Sequence, residues 1–157
     1  MGQRAPRVDY ALFVAEIAQT KDIASLLSEA ATIAVLGIHD DLSRAAGYVP
    51  EYLAAQGYRI IGVNPTKPGL TLYGEAVRAT LAEIAEPVDI VDVFRRSVDL
   101  PRHVADILAM SPRPRAVWFQ LGIVNDEVAR LLRGEEIDVV QDRCTLADHR
   151  RMGIGRR

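Results

Sequence analysis

Short apolar runs alternate with amphipathic stretches along most of this 157-residue chain. Alternation of this kind is typical of βα units that build a mainly parallel sheet flanked by helices. The fold class predicted from the pattern is therefore α/β. The predicted strands are Thr32–Gly37, Arg59–Val63, Val88–Phe94, Ala116–Gln120 and Ile137–Gln141.

The first, third and fourth of these strands are apolar, with β-branched or aromatic residues and little polar alternation. This composition predicts strands that are covered on both faces, so we expect them in the middle of the sheet. The amphipathic stretches predict helices at Asp22–Ala30, Ser43–Gln56, Leu81–Ile84 (a short one), Val98–Met110 and Asp126–Arg133.

Glycine, asparagine and proline mark the ends of several predicted elements. Gly57 follows the second helix as a C-cap residue, and Asn125 precedes the last helix as an N-cap. Pro101 fits the first turn of its helix. Pro50 lies inside a helical pattern, where it removes a backbone hydrogen bond, so this segment is predicted to bend or to split into two pieces. Pro65–Gly74 is predicted to be an irregular surface connection.

The length of the chain falls in the range of roughly 100–200 residues that one domain usually has. We therefore expect a single domain across residues 1–157. Within it, residues 1–21 are predicted to form an N-terminal helical extension, and residues 152–157 a flexible tail.

Composition limits the partners of the protein. Its 19 basic and 21 acidic side chains leave a formal charge of −2, which gives no general attraction to nucleic acid or to an anionic membrane. No apolar run reaches the roughly 20 residues of a membrane span. The single cysteine excludes an internal disulfide, and no leader pattern opens the chain, so a cytoplasmic location is predicted.

A glycine turn follows the first predicted strand and leads into a helix, where free amide groups and the helix dipole favour an anion. The dinucleotide pattern of three glycines is absent, because His39 and Ala45 or Ala46 stand where further glycines are expected. The phosphate loop that ends in Gly-Lys-Ser/Thr is absent as well. A tight turn without a ligand is an equally good interpretation of Gly37 alone.

Polar residues follow three strands of the predicted sheet. In a parallel sheet the carboxyl ends of the strands share one edge, so Gly37, Asn64 and Arg95 are expected to meet at one crevice. Around that crevice we expect hydrogen-bond donors and positive charge from Ser43, Arg44, Lys67, Arg95 and Arg96.

Several segments together resemble the small stand-alone CoA-binding proteins of bacteria and archaea, which are similar to the N-terminal domain of the succinyl-CoA synthetase alpha subunit. The resemblance covers about residues 22–151. The segments that carry it are Thr32–Gly37, Ser43-Arg44 with Tyr48, Val63–Pro65, Val91–Ser97, Val117–Asn125 and Val140–Cys144.

The resemblance implies a Rossmann-like fold that binds coenzyme A, with no metal. A ligand of this kind needs an apolar slot for adenine, donors for phosphates and a narrow groove for the pantetheine arm. Val63 and Val93 are predicted to line the slot, and Ser43, Arg44 and Lys67 to meet the phosphates. The full predicted set of contacts is Gly37, Ile38, His39, Asp40, Ser43, Arg44, Tyr48, Val63, Asn64, Pro65, Thr66, Lys67, Val93, Phe94 and Arg95.

No catalytic residue is predicted. The synthetase acts through a phosphohistidine on a second domain, and His39, His103 and His149 do not stand at matching positions. The prediction is therefore a protein that binds a small molecule, CoA or acyl-CoA, and carries or senses it. Assembly as a homo-oligomer is a further expectation. Three alternatives stay open: a ligase-like subunit that needs a partner, a nucleotide-dependent oxidoreductase, and a scaffold that kept the fold and lost the ligand.

Cys144 follows the last predicted strand and is expected at the same edge of the sheet. A buried structural cysteine is the simpler interpretation. The alternative hypothesis is that the charge of Arg143 favours a thiolate, which then forms a mixed disulfide with coenzyme A under oxidation.

Overall fold

A computed structural model describes Asp9, Ala11 and residues 22–156 of the chain. It contains a helix α1 at residues 22–29, seven strands and four further α-helices. The strands are β1 (Thr32–Leu36), β2 (Arg59–Val63), β3 (Thr71–Leu72), β4 (Glu75–Ala76), β5 (Ile90–Val93), β6 (Ala116–Phe119) and β7 (Asp138–Val140). The helices are α2 (Ala45–Ala55), α3 (Val104–Leu108), α4 (Asp126–Gly134) and α5 (Thr145–Arg151), and two 3₁₀ helices lie at Leu81–Glu83 and Ser97–His103.

Five strands form one parallel sheet in the order β2-β1-β5-β6-β7. The α/β class and the mainly parallel sheet are therefore confirmed. So is the position of the three apolar strands, because β1, β5 and β6 lie in the middle. The register pairs Leu36 with Val63 and with Val93, and Val93 with Phe119. These pairs align the carboxyl ends of four strands at one edge.

Successive residues of the central strands enter two different apolar clusters, one on each face of the sheet. Leu36 and Val93 belong to the cluster that helices α3 and α4 cover. Val35 and Trp118 belong to the cluster covered by α1, α2 and α5. Trp118 is completely buried. Burial on both faces explains why these strands read as continuous apolar runs.

Helix α2 is continuous through Pro50, so the prediction of two short pieces is wrong. A proline has no amide hydrogen for the carbonyl four residues earlier, which here is that of Ala46. That carbonyl instead accepts a hydrogen bond from the amide of His39, at 3.0 Å. The missing donor in the helix is thus replaced by one from the loop after β1.

Two further predictions of helices need correction. The segment predicted as one helix at Val98–Met110 begins as the 3₁₀ helix Ser97–His103 and becomes α-helical only at Val104. Helix α5 was not predicted at all. Its buried side chains are the polar Thr145, Asp148 and His149, so no apolar period marks it in the sequence.

The two ends of the chain differ in what the structure describes. The predicted N-terminal extension falls outside the described residues, apart from Asp9 and Ala11. In the predicted tail, Met152 and Ile154 pack against the core cluster of α2 and α5. The tail is therefore in contact with the domain as far as Ile154. Within residues 22–156, no helix is long and apolar enough to cross a membrane.

Candidate functional site

The chain runs from β1 to β2 on one side and then returns to β5 on the other side of β1. In sheets of this type ligands bind in the crevice at the carboxyl ends of the two strands where the order reverses. Gly37 begins the loop after β1 with φ +91°, and a Cβ there would lie 2.5 Å from the Phe94 carbonyl oxygen. Glycine thus allows the ends of β1 and β5 to approach closely.

A cleft of about 570 Å³ opens at this edge of the sheet. Its walls come from the first turns of α2, from the segments that follow β5 and β6, and from the residue before α5. The lining residues are Ala45, Tyr48, Val49, Phe94, Arg95, Arg96, Ser97, Gln120, Leu121, Gly122, Ile123 and Cys144.

Tyr48, Phe94 and Arg95 are the predicted site residues that line this cleft. The structure places the apolar members of the predicted set differently. Val63 and Val93 are 1% and 0% exposed and belong to the core, as does the fully buried Ile38. The side chains of Val63 and Val93 point from the sheet into the apolar cluster that α3 and α4 cover. The predicted adenine slot lined by Val63 and Val93 is therefore not formed.

Asn64 has a structural role at the end of β2. Its buried side-chain amide donates to the carbonyl of Ile38 at 2.9 Å, and its Oδ1 accepts from the amide and the hydroxyl of Thr66. The turn after β2 is thereby tied to the loop after β1. Pro65 and Thr66 are exposed on that turn.

The acidic residues of the loop after β1 hold the cations that were predicted to meet phosphates. Lys67 Nζ lies 3.1 Å from Asp40, and Arg44 Nε lies 3.5 Å from Asp41. Asp41 also accepts from the amide and the hydroxyl of Ser43. The hydrogen bond from Lys67 lowers the pKa of Asp40, and those from Ser43 lower the pKa of Asp41. In this arrangement the side chains of Ser43, Arg44 and Lys67 bind the carboxylates of the loop.

His39 lies in the same loop, and its ring also has a structural partner. Its Nδ1 accepts the amide hydrogen of Asp41, at 2.9 Å. The backbone amide of His39 donates to the Ala46 carbonyl in helix α2. The ring and the backbone of His39 therefore both hold the loop in place.

Arg95 differs from the other cations near the cleft. It forms no ion pair with any described residue, and its buried Nε has no hydrogen-bond partner among them. Arg96, in contrast, is paired with Asp99 at 2.9 Å. Burial and the charge of Arg95 lower the pKa of His103. The cleft thus contains one guanidinium whose charge is not matched by a carboxylate in the described part of the chain.

A buried polar network lies beneath the cleft. Gln120 Nε2 donates to Asp92 Oδ1 at 2.7 Å and to Thr145 Oγ1 at 2.8 Å, and the Thr145 hydroxyl donates to Asp92 Oδ2 at 3.0 Å. Burial raises the pKa of the fully buried Asp92 to about 7, although both hydrogen bonds act in the opposite direction. Gln120 connects this network to the cleft, which it lines.

Cys144 lines the cleft, as expected from its position after the last strand. The charge of Arg143, which the hypothesis of a reactive thiol invokes, is paired with Asp148, because the guanidinium donates to both carboxylate oxygens. The mixed disulfide stays a prediction. His149, near the C-terminal end, is buried with its Nδ1 2.9 Å from the Tyr52 hydroxyl and is not a surface residue. No cluster suited to a metal ion occurs in the part of the chain that the structure describes.

The predicted site lacks the residues that β6 contributes to the cleft. Gln120 stands at the end of a strand that was correctly predicted, and residues 121–123 follow it directly. The carboxyl ends of parallel strands share one edge of the sheet. The end of the fourth predicted strand is therefore a signal in the sequence that places these residues at the cleft. Ala45 and Val49 carry no such signal, because only the packing of α2 turns them toward the cleft.

A parallel sheet with a cleft at the point where its strand order reverses is the arrangement of nucleotide-binding α/β proteins. Residues 31–150 match the model of the family described as a CoA binding domain, and the chain belongs to this family. The resemblance seen in the sequence is thereby confirmed.

Several known proteins are similar to the chain. It is 36% identical over 128 residues to YneT of Bacillus subtilis (strain 168), across 82% of this chain and 92% of that protein. It is 46% identical to the cell-free ID.343 protein of Thermus thermophilus, with a TM-score of 0.81 over 85% of this chain and 98% of that one.

The fold also resembles part of a larger enzyme, the dinucleotide forming acetyl-coenzyme A synthetase 1 of Ca. Korarchaeum cryptofilum. The TM-score is 0.61 and the identity 17%, over 75% of this chain and 26% of that one. At this identity the likeness concerns the fold alone.

Proposed function

We propose that this protein binds coenzyme A or acyl-CoA in the cleft at the carboxyl ends of β1, β5 and β6, and that it carries or senses this ligand. Membership of the CoA binding domain family supports the ligand class. A cytoplasmic location and a small-molecule ligand as the partner are parts of the same proposal.

The observation that carries the proposal is the guanidinium of Arg95 in the cleft, whose buried Nε has no hydrogen-bond partner among the described residues. A buried donor without a partner is unfavourable, and a phosphate oxygen would satisfy it with a charge-assisted hydrogen bond. The first turn of α2 adds to this effect, because Ala45 lines the cleft and no side chain caps the helix. The positive end of the helix dipole thus favours an anion nearby.

The proposal is tested by replacing Arg95. The variant Arg95→Gln is expected to weaken coenzyme A binding in calorimetry by about 1.5–3 kcal/mol, or roughly 10- to 150-fold, because a charge-assisted hydrogen bond is lost. The matched control is Arg102→Gln, since Arg102 is exposed, pairs with Asp99 and does not line the cleft. Equal affinities of the two variants would refute the assignment of Arg95.

Native mass spectrometry of the protein purified from its own cells tests the ligand directly. Coenzyme A or an acyl-CoA is expected as the added mass. A different nucleotide in its place would favour the oxidoreductase alternative over the proposal.

A further inference from the structure

Gln120 lines the cleft although its side chain is almost completely buried, with 4% of the residue exposed. A buried amide needs partners for both its nitrogen and its oxygen. Its nitrogen has two, Asp92 and Thr145, beneath the cleft. Its oxygen, Oε1, accepts no hydrogen bond from any residue among 22–156, and it is the polar atom of this side chain that is left for the cleft.

The orientation of this amide follows from the charge of its neighbour. If the amide were turned over, Oε1 would lie against Asp92 Oδ1, where Nε2 now lies at 2.7 Å. Two acceptors repel each other at that distance when the carboxyl group is ionised. The Thr145 hydroxyl is also committed as a donor to Asp92 Oδ2. With Asp92 ionised, the network therefore holds Gln120 with its oxygen toward the cleft.

The rest of the cleft makes this acceptor unusual. Apart from the hydroxyls of Tyr48 and Ser97 and the thiol of Cys144, the other lining side chains are apolar or are the donors Arg95 and Arg96, which suit anionic groups of a ligand. A carboxamide oxygen instead suits an uncharged donor, such as an amide N–H, an amine or a thiol. A ligand that lacks this donor would leave the oxygen buried and unpaired, which lowers its affinity.

We propose that Gln120 Oε1 accepts a hydrogen bond from an uncharged N–H or S–H group of the bound ligand and thereby selects ligands that present this donor to Gln120. This inference rests on the proposed function, because it uses coenzyme A as the ligand. Coenzyme A contains both sources of such a donor, the amides of its arm and its terminal thiol.

The test is calorimetry with coenzyme A and S-methyl-coenzyme A at about pH 8, where Asp92, with a pKa of about 7, is mostly ionised and a free thiol, with a pKa of about 8.5, mostly keeps its proton. Gln120→Leu is expected to bind coenzyme A about 5- to 50-fold more weakly than the wild-type protein. If the donor is the thiol, S-methylation weakens binding to the wild-type protein and not to Gln120→Leu. If the donor is an N–H, the variant loses the same factor for both ligands.

The control is Val139→Ala, a core truncation outside the cleft, which is expected to lower stability and to leave the affinity within about twofold. The inference is overturned if Gln120→Leu binds coenzyme A as tightly as the wild-type protein, or if the control weakens binding as much. A wild-type protein that does not bind coenzyme A would refute the proposed function instead.

A second measurement needs no variant, in case Gln120→Leu does not fold. The side-chain amide resonances of Gln120 in ¹⁵N-labelled protein are expected to move on saturation with coenzyme A. Resonances that stay in place would show that the ligand does not reach Gln120, which overturns the inference.

Discussion

Gly47 lies in the first turn of helix α2, where the loop that follows β1 runs against the helix. A Cβ at this position would lie 2.2 Å from the carbonyl oxygen of Asp41 and 2.8 Å from its carbon. Both atoms are backbone, so neither can rotate away. Together with the hydrogen bond between His39 and Ala46, this contact fixes the path of the loop beside the cleft.

Gly47→Ala is therefore expected to destabilise the protein by about 1–3 kcal/mol in urea denaturation, because the added methyl group displaces the backbone. This loss opposes the gain of about 1 kcal/mol that alanine usually brings to a helix. Gly134→Ala in α4 is the matched control, since nothing lies within 4 Å of a Cβ there. If both variants are stabilised equally, the loop does not constrain Gly47.

Asp92 makes stability depend on pH in an unusual direction for a carboxyl group. Burial raises its pKa from 3.8 in the unfolded chain to about 7 in the folded protein. Below about pH 3.8 the carboxyl group of Asp92 is protonated in both the folded and the unfolded state, so it does not make stability depend on pH. As pH rises toward 7 the unfolded chain loses the proton first, so stability falls, and above 7 the full loss of about 4 kcal/mol is present.

Asp92→Asn removes this titration while it keeps the shape of the side chain. The stability of the wild-type protein relative to the variant is expected to fall by about 2–3 kcal/mol between pH 5 and pH 8. Urea denaturation of both proteins at the two pH values measures this change in relative stability. The contributions of other groups that titrate in both proteins cancel in the comparison. A difference that is the same at both pH values would contradict the raised pKa.

At the scale of elements, the turn after β2 and the loop after β1 are held together by one buried side chain. Asn64→Ala removes its bonds to Ile38 and Thr66 and leaves the buried carbonyl of Ile38 without this donor. The expected loss of stability is about 1–3 kcal/mol. Thr66→Val, which removes only the hydroxyl bond to Asn64, is the control and is expected to cost less. Equal losses would show that the bond to Ile38 contributes nothing.

At the scale of the whole molecule, the ligand is expected to stabilise the fold. A concentration of coenzyme A about 100-fold above its dissociation constant stabilises the folded state by about 2.7 kcal/mol, which raises Tm by about 5–10 °C. NAD at the same concentration is expected to have little effect, because the sequence lacks the glycine pattern of dinucleotide sites. Differential scanning calorimetry compares the two, and an equal or larger shift with NAD would remove the coenzyme A assignment.

The sequence by itself determined the α/β class, the order of the main elements and the three central strands. These features follow from local patterns, because a strand buried on both faces must be apolar along its whole length. The cap of α4 was predictable for the same reason, since the side chain of Asn125 bonds to Val128 three residues later.

Only the tertiary structure decided what the predicted site residues do. Arg44, Arg95 and Lys67 are alike as residues in the sequence, yet two of them have carboxylate partners and Arg95 has none among the described residues. Val63 and Val93 stand at strand ends but fill the core. The network of Asp92, Gln120 and Thr145 joins residues up to 53 positions apart. Such long-range pairing depends on how the sheet and helices pack, and no local pattern in the sequence encodes it.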